Sequence, residues 1–103
     1  MQFKLDDTVQ QFKLDFKGLY DEIKVDENYF ESKEGHETVA ITLTNELKVK
    51  EYIHCVVTFP DGGGYDVDFV YQNDEATPGI TKEHYPTLAE VVEGWKRFIS
   101  LYK

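Results

Sequence analysis

The chain has 103 residues, of which 41% are hydrophobic and 15% aromatic, and it carries a formal charge of −9 at neutral pH. This length and composition suit a single globular domain over residues 1–103 and exclude a disordered chain. The negative charge disfavours electrostatic binding to nucleic acid or to an anionic membrane, and no apolar run approaches the ~20 residues that cross a bilayer.

The cysteine content and the first residues indicate a cellular compartment. Cys55 is the only cysteine, so it cannot form an internal disulfide. The first seven residues lack the apolar run of a secretory signal. We therefore expect a cytoplasmic protein in a reducing environment.

The first predicted element is a helix over residues 8–24. Thr8 followed by Gln11 is a capping-box pattern, and apolar residues recur behind it at spacings of three and four. These residues are Val9, Phe12, Phe16, Leu19, Tyr20 and Ile23.

The next segment is mostly polar up to residue 37, and we expect no more than a short strand there, around Tyr29–Ser32. From residue 37 the apolar residues Val39, Ile41 and Leu43 alternate with smaller, mostly threonine residues. This period of two predicts a half-buried strand with a threonine-rich outer face. Residues 45–48 are expected to form a turn or a single helical turn.

Residues 52–72 predict a long β-hairpin closed by the five-residue loop 60–64, Pro-Asp-Gly-Gly-Gly. If Phe59 pairs with Tyr65, the apolar residues of both strands lie on one face, as a buried face requires. The inward set is then Ile53, Cys55, Val57, Phe59, Tyr65, Val67, Phe69 and Tyr71.

Two elements complete the chain. Residues 72–86 contain two prolines and a glycine and are predicted to form a long loop. Thr87 followed by Glu90 is a second capping box, and the apolar stripe behind it, which includes Trp95, predicts a C-terminal helix. These elements predict an α+β fold, with an antiparallel sheet of three to four strands and the N-terminal and C-terminal helices packed on one face.

Acidic residues concentrate in residues 51–94, where Lys82 is the only lysine or arginine. The acidic residues are Glu51, Asp61, Asp66, Asp68, Asp74, Glu75, Glu83, Glu90 and Glu93. Such a surface could serve solubility alone, or it could meet a basic partner.

Catalysis and metal binding are the weaker interpretations. The residues His54, Cys55 and Asp68 include a nucleophile and a base, but alternation places His54 and Cys55 on opposite faces of one strand. We expect Cys55 in the core and His54 close enough to Asp68 for an ion pair or a hydrogen bond. Asp66 and Asp68 are about 7 Å apart along the strand, too far to chelate one ion easily. We predict no metal and no cofactor.

The preferred hypothesis is a non-catalytic inhibitor that binds and blocks a basic protein partner such as a nuclease or toxin. In size and acidity the chain resembles small intracellular inhibitors as a class, namely immunity proteins, antitoxins and anti-defence proteins, without a shared residue motif. The predicted partner-binding residues are Tyr52, His54, Asp61, Asp66, Asp68, Asp74, Glu75, Glu83 and Tyr85.

Two alternatives remain. One is a small metal-dependent or acid-base enzyme that uses His54, Asp66 and Asp68. The other is a structural module that oligomerises through an edge strand, such as the one predicted over residues 38–45.

Overall fold

A computed structural model describes residues 5–31, 36–74 and 76–102 of the chain. In chain order the elements are α1 (Leu5–Asp15), β1 (Glu22–Glu31), β2 (His36–Lys48), β3 (Glu51–Thr58), β4 (Tyr65–Asn73), β5 (Ala76–Tyr85) and α2 (Leu88–Ser100). The five strands form one antiparallel sheet in sequence order, β1-β2-β3-β4-β5. The predicted α+β architecture is confirmed, but the predicted strand number of three to four is wrong.

Both helices pack on one face of the sheet. The ring of Phe12 in α1 contacts Phe59 and Tyr65, and the indole of Trp95 in α2 stacks on Phe69 with 6.3 Å between ring centroids. The fully buried core on this side consists of Phe12, Phe16, Ile41, Leu43, Ile53, Cys55, Val57, Val67, Phe69, Val91 and Trp95.

The central hairpin has the predicted register. Thr58 pairs with Asp66, which continues the pairing of Phe59 with Tyr65, and Cys55 pairs with Phe69 on the helix side. Gly63 and Gly64 both have positive φ, at 93° and 74°, which explains the glycine run in this turn.

The N-terminal prediction is wrong over about half its length. The helix ends at Asp15, and Gly18, with φ of 80°, turns the chain into β1. Ile23 therefore belongs to β1, where it pairs with Leu43, and not to the helical stripe. The strand expected around Tyr29–Ser32 is the end of this longer β1, and Ser32 lies outside the described residues.

The connection between α1 and β1 is fixed by one backbone carbonyl. The carbonyl of Leu19 accepts hydrogen bonds from Trp95 Nε1 at 2.7 Å and from Asn45 Nδ2 at 2.9 Å. Asn45 is only 3% exposed, and it is part of β2, which runs through the segment predicted as a turn. Residues 38–45 lie between β1 and β3, so they are not the predicted sheet edge.

The largest error concerns the loop predicted over residues 72–86, because Ala76–Tyr85 form the strand β5 and Gln72 and Asn73 end β4. Pro78 is tolerated because β5 is an edge strand, where an N–H can be missing without breaking a central ladder. The side chains from Pro78 to His84 are exposed, so the segment lacks the apolar alternation of a half-buried strand.

The C-terminal helix agrees with its prediction. The hydroxyl of Thr87 accepts a hydrogen bond from the backbone N–H of Glu90, as the capping box requires. Among the described residues, no helix is long and apolar enough to cross a membrane.

Candidate functional site

The sheet face opposite the helices is here called the open face. Strand alternation and the pairing register place on it one set of side chains from each strand. The set comprises Glu22, Lys24, Asp26 and Tyr29 of β1, Thr38, Ala40, Thr42, Thr44 and Glu46 of β2, Tyr52, His54, Val56 and Thr58 of β3, Asp66, Asp68, Val70 and Gln72 of β4, and Ile80, Lys82 and His84 of β5.

A hydrogen-bonded array centred on His54 organises one end of the open face. Nδ1 of His54 lies 2.9 Å from Thr44 Oγ1, and Nε2 lies 2.9 Å from Gln72 Oε1. The ring of Tyr52 stacks on the imidazole with 6.1 Å between ring centroids. With Nε2 donating to Gln72, the neutral ring accepts from the Thr44 hydroxyl, so both nitrogens are satisfied.

The interaction predicted between His54 and Asp68 is therefore wrong. The two residues are diagonal neighbours, as the register requires, but His54 bonds Thr44, its direct partner on β2, and Gln72, its other diagonal neighbour on β4. Asp68 instead accepts from Lys82 on β5, with both carboxylate oxygens 3.2 Å from Nζ.

The second acidic residue of β4 is also paired to β5. The carboxylate Oδ1 of Asp66 lies 2.7 Å from Nδ1 of His84. Lys82 and His84 were absent from the predicted site because the segment that carries them was interpreted as a loop. Their alternation with Thr81 and Glu83 is the signal that could have placed them on a strand opposite Asp66 and Asp68.

Despite these pairs the open face remains negative. Its described side chains include five acidic residues and two lysines, which gives a formal charge of −3 with both histidines neutral. The acidic residues of β1 and β2 that reach it are Glu22, Asp26 and Glu46, and all three are exposed. Sequence analysis missed them because Glu22 falls in the predicted helix, Asp26 in the polar segment and Glu46 in the predicted turn.

The other predicted partner-binding residues lie away from the open face. Asp61 is exposed in the turn between β3 and β4. Asp74 follows β4 and pairs with Lys50 at 3.5 Å. Glu83 and Tyr85 alternate onto the helix side of β5. Glu75 lies outside the described residues. The structure thus brings together four predicted residues, namely Tyr52, His54, Asp66 and Asp68.

Tyr85 packs on the helix side of the sheet, between β4 and α2. Its ring packs edge-on against Phe69 and lies over Gly94 of α2, near the Arg97 side chain. Burial, and to a smaller extent the Glu83 carboxylate, raise the pKa of this phenol above its usual value, whereas Arg97 opposes the shift. These contacts join β5 to α2.

The side chain with the most nucleophilic character is enclosed. Cys55 is fully buried, and burial together with the smaller effect of the Asp68 carboxylate raises the pKa of its thiol well above the usual range. His54 projects from the opposite face of the same strand, so it cannot deprotonate this thiol. Within residues 5–31, 36–74 and 76–102, no group of three His, Cys, Asp or Glu side chains is arranged to hold a metal ion.

Comparison with protein-family models, with curated protein sequences and with solved structures gives no match to this chain.

Proposed function

We propose that this chain is a non-catalytic cytoplasmic protein that binds and blocks a basic partner protein, such as a nuclease or toxin, through the open face. The observation that carries the proposal is a face of a five-stranded sheet that neither helix covers and whose described side chains have a formal charge of −3. A negatively charged surface favours encounter with a basic partner and disfavours direct contact with nucleic acid.

The composition of the open face supports binding beyond charge alone. Tyr52 and His54 offer a stacked aromatic surface, and Ile80 is 57% exposed beside the half-buried Val70. Aromatic and apolar side chains supply contact area, while a charged rim selects the partner. The Asp66 and Asp68 carboxylates are held in place by His84 and Lys82, so a partner meets an ordered surface.

The local chemistry supports the non-catalytic part of the proposal. A general base must reach the proton that it removes, and both ring nitrogens of His54 are already engaged by Thr44 and Gln72. Cys55 is on the buried side and is held as a neutral thiol. The open face is therefore better suited to complementarity than to proton transfer.

Affinity capture from the native host, with two variants of equal charge, tests the proposal. The first variant, Glu22→Gln/Asp26→Asn/Glu46→Gln, neutralises three acidic residues of the open face. The control, Asp7→Asn/Glu83→Gln/Glu90→Gln, neutralises three exposed acidic residues elsewhere.

We expect a basic protein to be captured by the wild type and by the control, and its affinity for the open-face variant to fall about tenfold or more. Binding should weaken as NaCl rises from about 50 to 300 mM. Equal losses in the two variants would show a general charge effect, and equal retention would place the binding surface elsewhere. Either result would contradict the proposal.

A further inference from the structure

The open face has a floor of small side chains. Across the middle of the sheet, β2 and β3 contribute alanine, threonine and valine, and two of these residues are buried although no helix covers them. Ala40 is 1% exposed and Thr58 is 8% exposed. The floor residues are Ala40, Thr42, Thr44, Val56 and Thr58.

Longer side chains stand on both sides of this floor. Lys24 and its neighbours rise from β1, and on the other side Asp66 and Asp68 are capped by His84 and Lys82. The side chains of Lys82 and His84 are 66% and 54% exposed, in contrast to the buried floor. We call the floor and these two walls the trough.

The trough has the width of an α-helix. Its walls rise from β1 and β4, which are three strand spacings apart, or about 14 Å. A helix with its side chains is about 10–12 Å across. An extended segment fits less well because the backbone groups of β2 and β3 are already paired on both sides, whereas a helix satisfies its own hydrogen bonds.

The net negative charge of the trough lies at its two ends. Asp26 and Asp66 share one row of the register, Glu22 lies two rows further along, and Glu46 is one row beyond that. Strand rise separates these ends by about 13–20 Å. On a helix this distance corresponds to about 9–13 residues.

The middle row is different. It contains Lys24, Thr42, Val56, Asp68 and Lys82, and Asp68 in the β4 wall is ion-paired with Lys82 behind it. The row therefore has a formal charge of +1, from Lys24, and disfavours a cation. A ligand complementary to the trough therefore has basic residues at both ends and small apolar residues between them.

We propose that the trough receives an amphipathic α-helix of the partner, with two basic clusters about 9–13 residues apart that face Asp26 and Asp66 at one end and Glu22 and Glu46 at the other. The inference rests on the proposed function and names the element of the partner that the open face recognises. The stacked Tyr52 and His54 side chains close the Glu46 end of the trough.

Two synthetic peptides of about 18 residues test the helix directly. Both have the same composition and are stapled as helices; one has lysine and arginine at its ends around an alanine and leucine centre, and the other has the basic residues at its centre. Binding is measured by calorimetry, and the site by amide chemical shifts of the full chain. The variant Thr42→Trp fills the floor, and Thr81→Trp, at an exposed position on the helix side of β5, is its control.

We expect the end-charged peptide to bind about tenfold more tightly than its isomer, with shifts centred on β2 and β3. Thr42→Trp should weaken this binding about tenfold, and Thr81→Trp should leave it unchanged. Equal affinity of the two peptides, shifts centred on α1 or α2, or no saturable binding at millimolar peptide would overturn the inference. If partner capture survives Thr42→Trp but is lost in Glu22→Gln/Asp26→Asn/Glu46→Gln, the inference that a helix binds in the trough is wrong and the proposed function stands.

Discussion

Substitution of Gly94 by alanine should destabilise the protein although Gly94 lies inside a helix. A β-carbon built on Gly94 would lie 2.5 Å from the Tyr85 hydroxyl oxygen, 2.9 Å from Tyr85 Cζ and 3.2 Å from Phe69 Cζ. The Tyr85 ring cannot move away freely, because it packs edge-on against Phe69.

Two opposing effects set the size of the change in the free energy of unfolding. Alanine is more favourable than glycine inside a helix by about 1 kcal/mol. Displacing Tyr85 costs about 1–3 kcal/mol for repacking, and the close approach to its hydroxyl favours the upper part of this range. We therefore expect Gly94→Ala to lower the free energy of unfolding by about 1–2 kcal/mol.

The effect of Gly94→Ala on the free energy of unfolding should change sign when the Tyr85 side chain is removed. In a Tyr85→Ala background, the 3.2 Å contact with Phe69 Cζ remains, but the space that Tyr85 leaves lets the Phe69 ring shift. Gly94→Ala should then raise the free energy of unfolding by about 0.5–1 kcal/mol. Urea unfolding of the wild type, the two single variants and the double variant measures this coupling. A neutral or stabilising effect of Gly94→Ala in the wild-type background would refute the proposed contact between β5 and α2.

Three further predictions concern the core, a turn and the Leu19 carbonyl. Because the pKa of the buried Cys55 thiol is raised, the unfolded chain loses this proton first, so stability is retained below about pH 8 and falls above the ordinary thiol pKa of about 8.5. Between pH 7.5 and 9.5, urea unfolding should show that the free energy of unfolding of the wild type falls by about 1.4 kcal/mol, a loss that Cys55→Val should lack. An equal loss in both proteins would contradict the burial of Cys55. Lys50 has a φ of 62°, a conformation that strains any residue with a β-carbon. Lys50→Gly should therefore raise the free energy of unfolding by about 0.5–1 kcal/mol, although the exposed ion pair with Asp74 is lost. Lys50→Ala keeps the strain and should not raise it. Asn45→Ala should lower the free energy of unfolding by about 1–3 kcal/mol, measured by thermal or urea unfolding, because a buried hydrogen bond to the Leu19 carbonyl is lost. A change below about 0.5 kcal/mol would contradict that role of Asn45.

The sequence predicted the elements that bury one face. The hairpin strands and α2 each carry apolar residues at the period of their own structure, because one side of each packs in the core. The glycines of the turn and the capping residue Thr87 mark where these elements end or begin. Register followed from the turn and from the need to place both apolar sets on one side.

The edge strands could not be predicted in the same way. The exposed part of β5 has no buried face to impose a pattern, and its proline and glycine are typical of a loop. The start of β1 was merged with α1, because Ile23 follows Tyr20 at helical spacing. Only the positive φ of Gly18 separates the two elements.

These two errors also limited the candidate site. Sequence analysis placed Tyr52, His54, Asp66 and Asp68 on the same face, because alternation within the hairpin is enough for that. It could not place the side chains of β1 and β5 beside them, since most of β1 was predicted as helix or polar segment and β5 as a loop. Lys82 therefore appeared as an isolated base, whereas it pairs with Asp68 across the open face.

The central claim is that the open face, and not the overall charge, binds the partner. The most direct test is the ratio of the partner's dissociation constants for two variants of equal net charge, Glu22→Gln/Asp26→Asn/Glu46→Gln and Asp7→Asn/Glu83→Gln/Glu90→Gln. We predict a ratio of about ten or more, with weaker binding to the open-face variant. A ratio near one would contradict the claim.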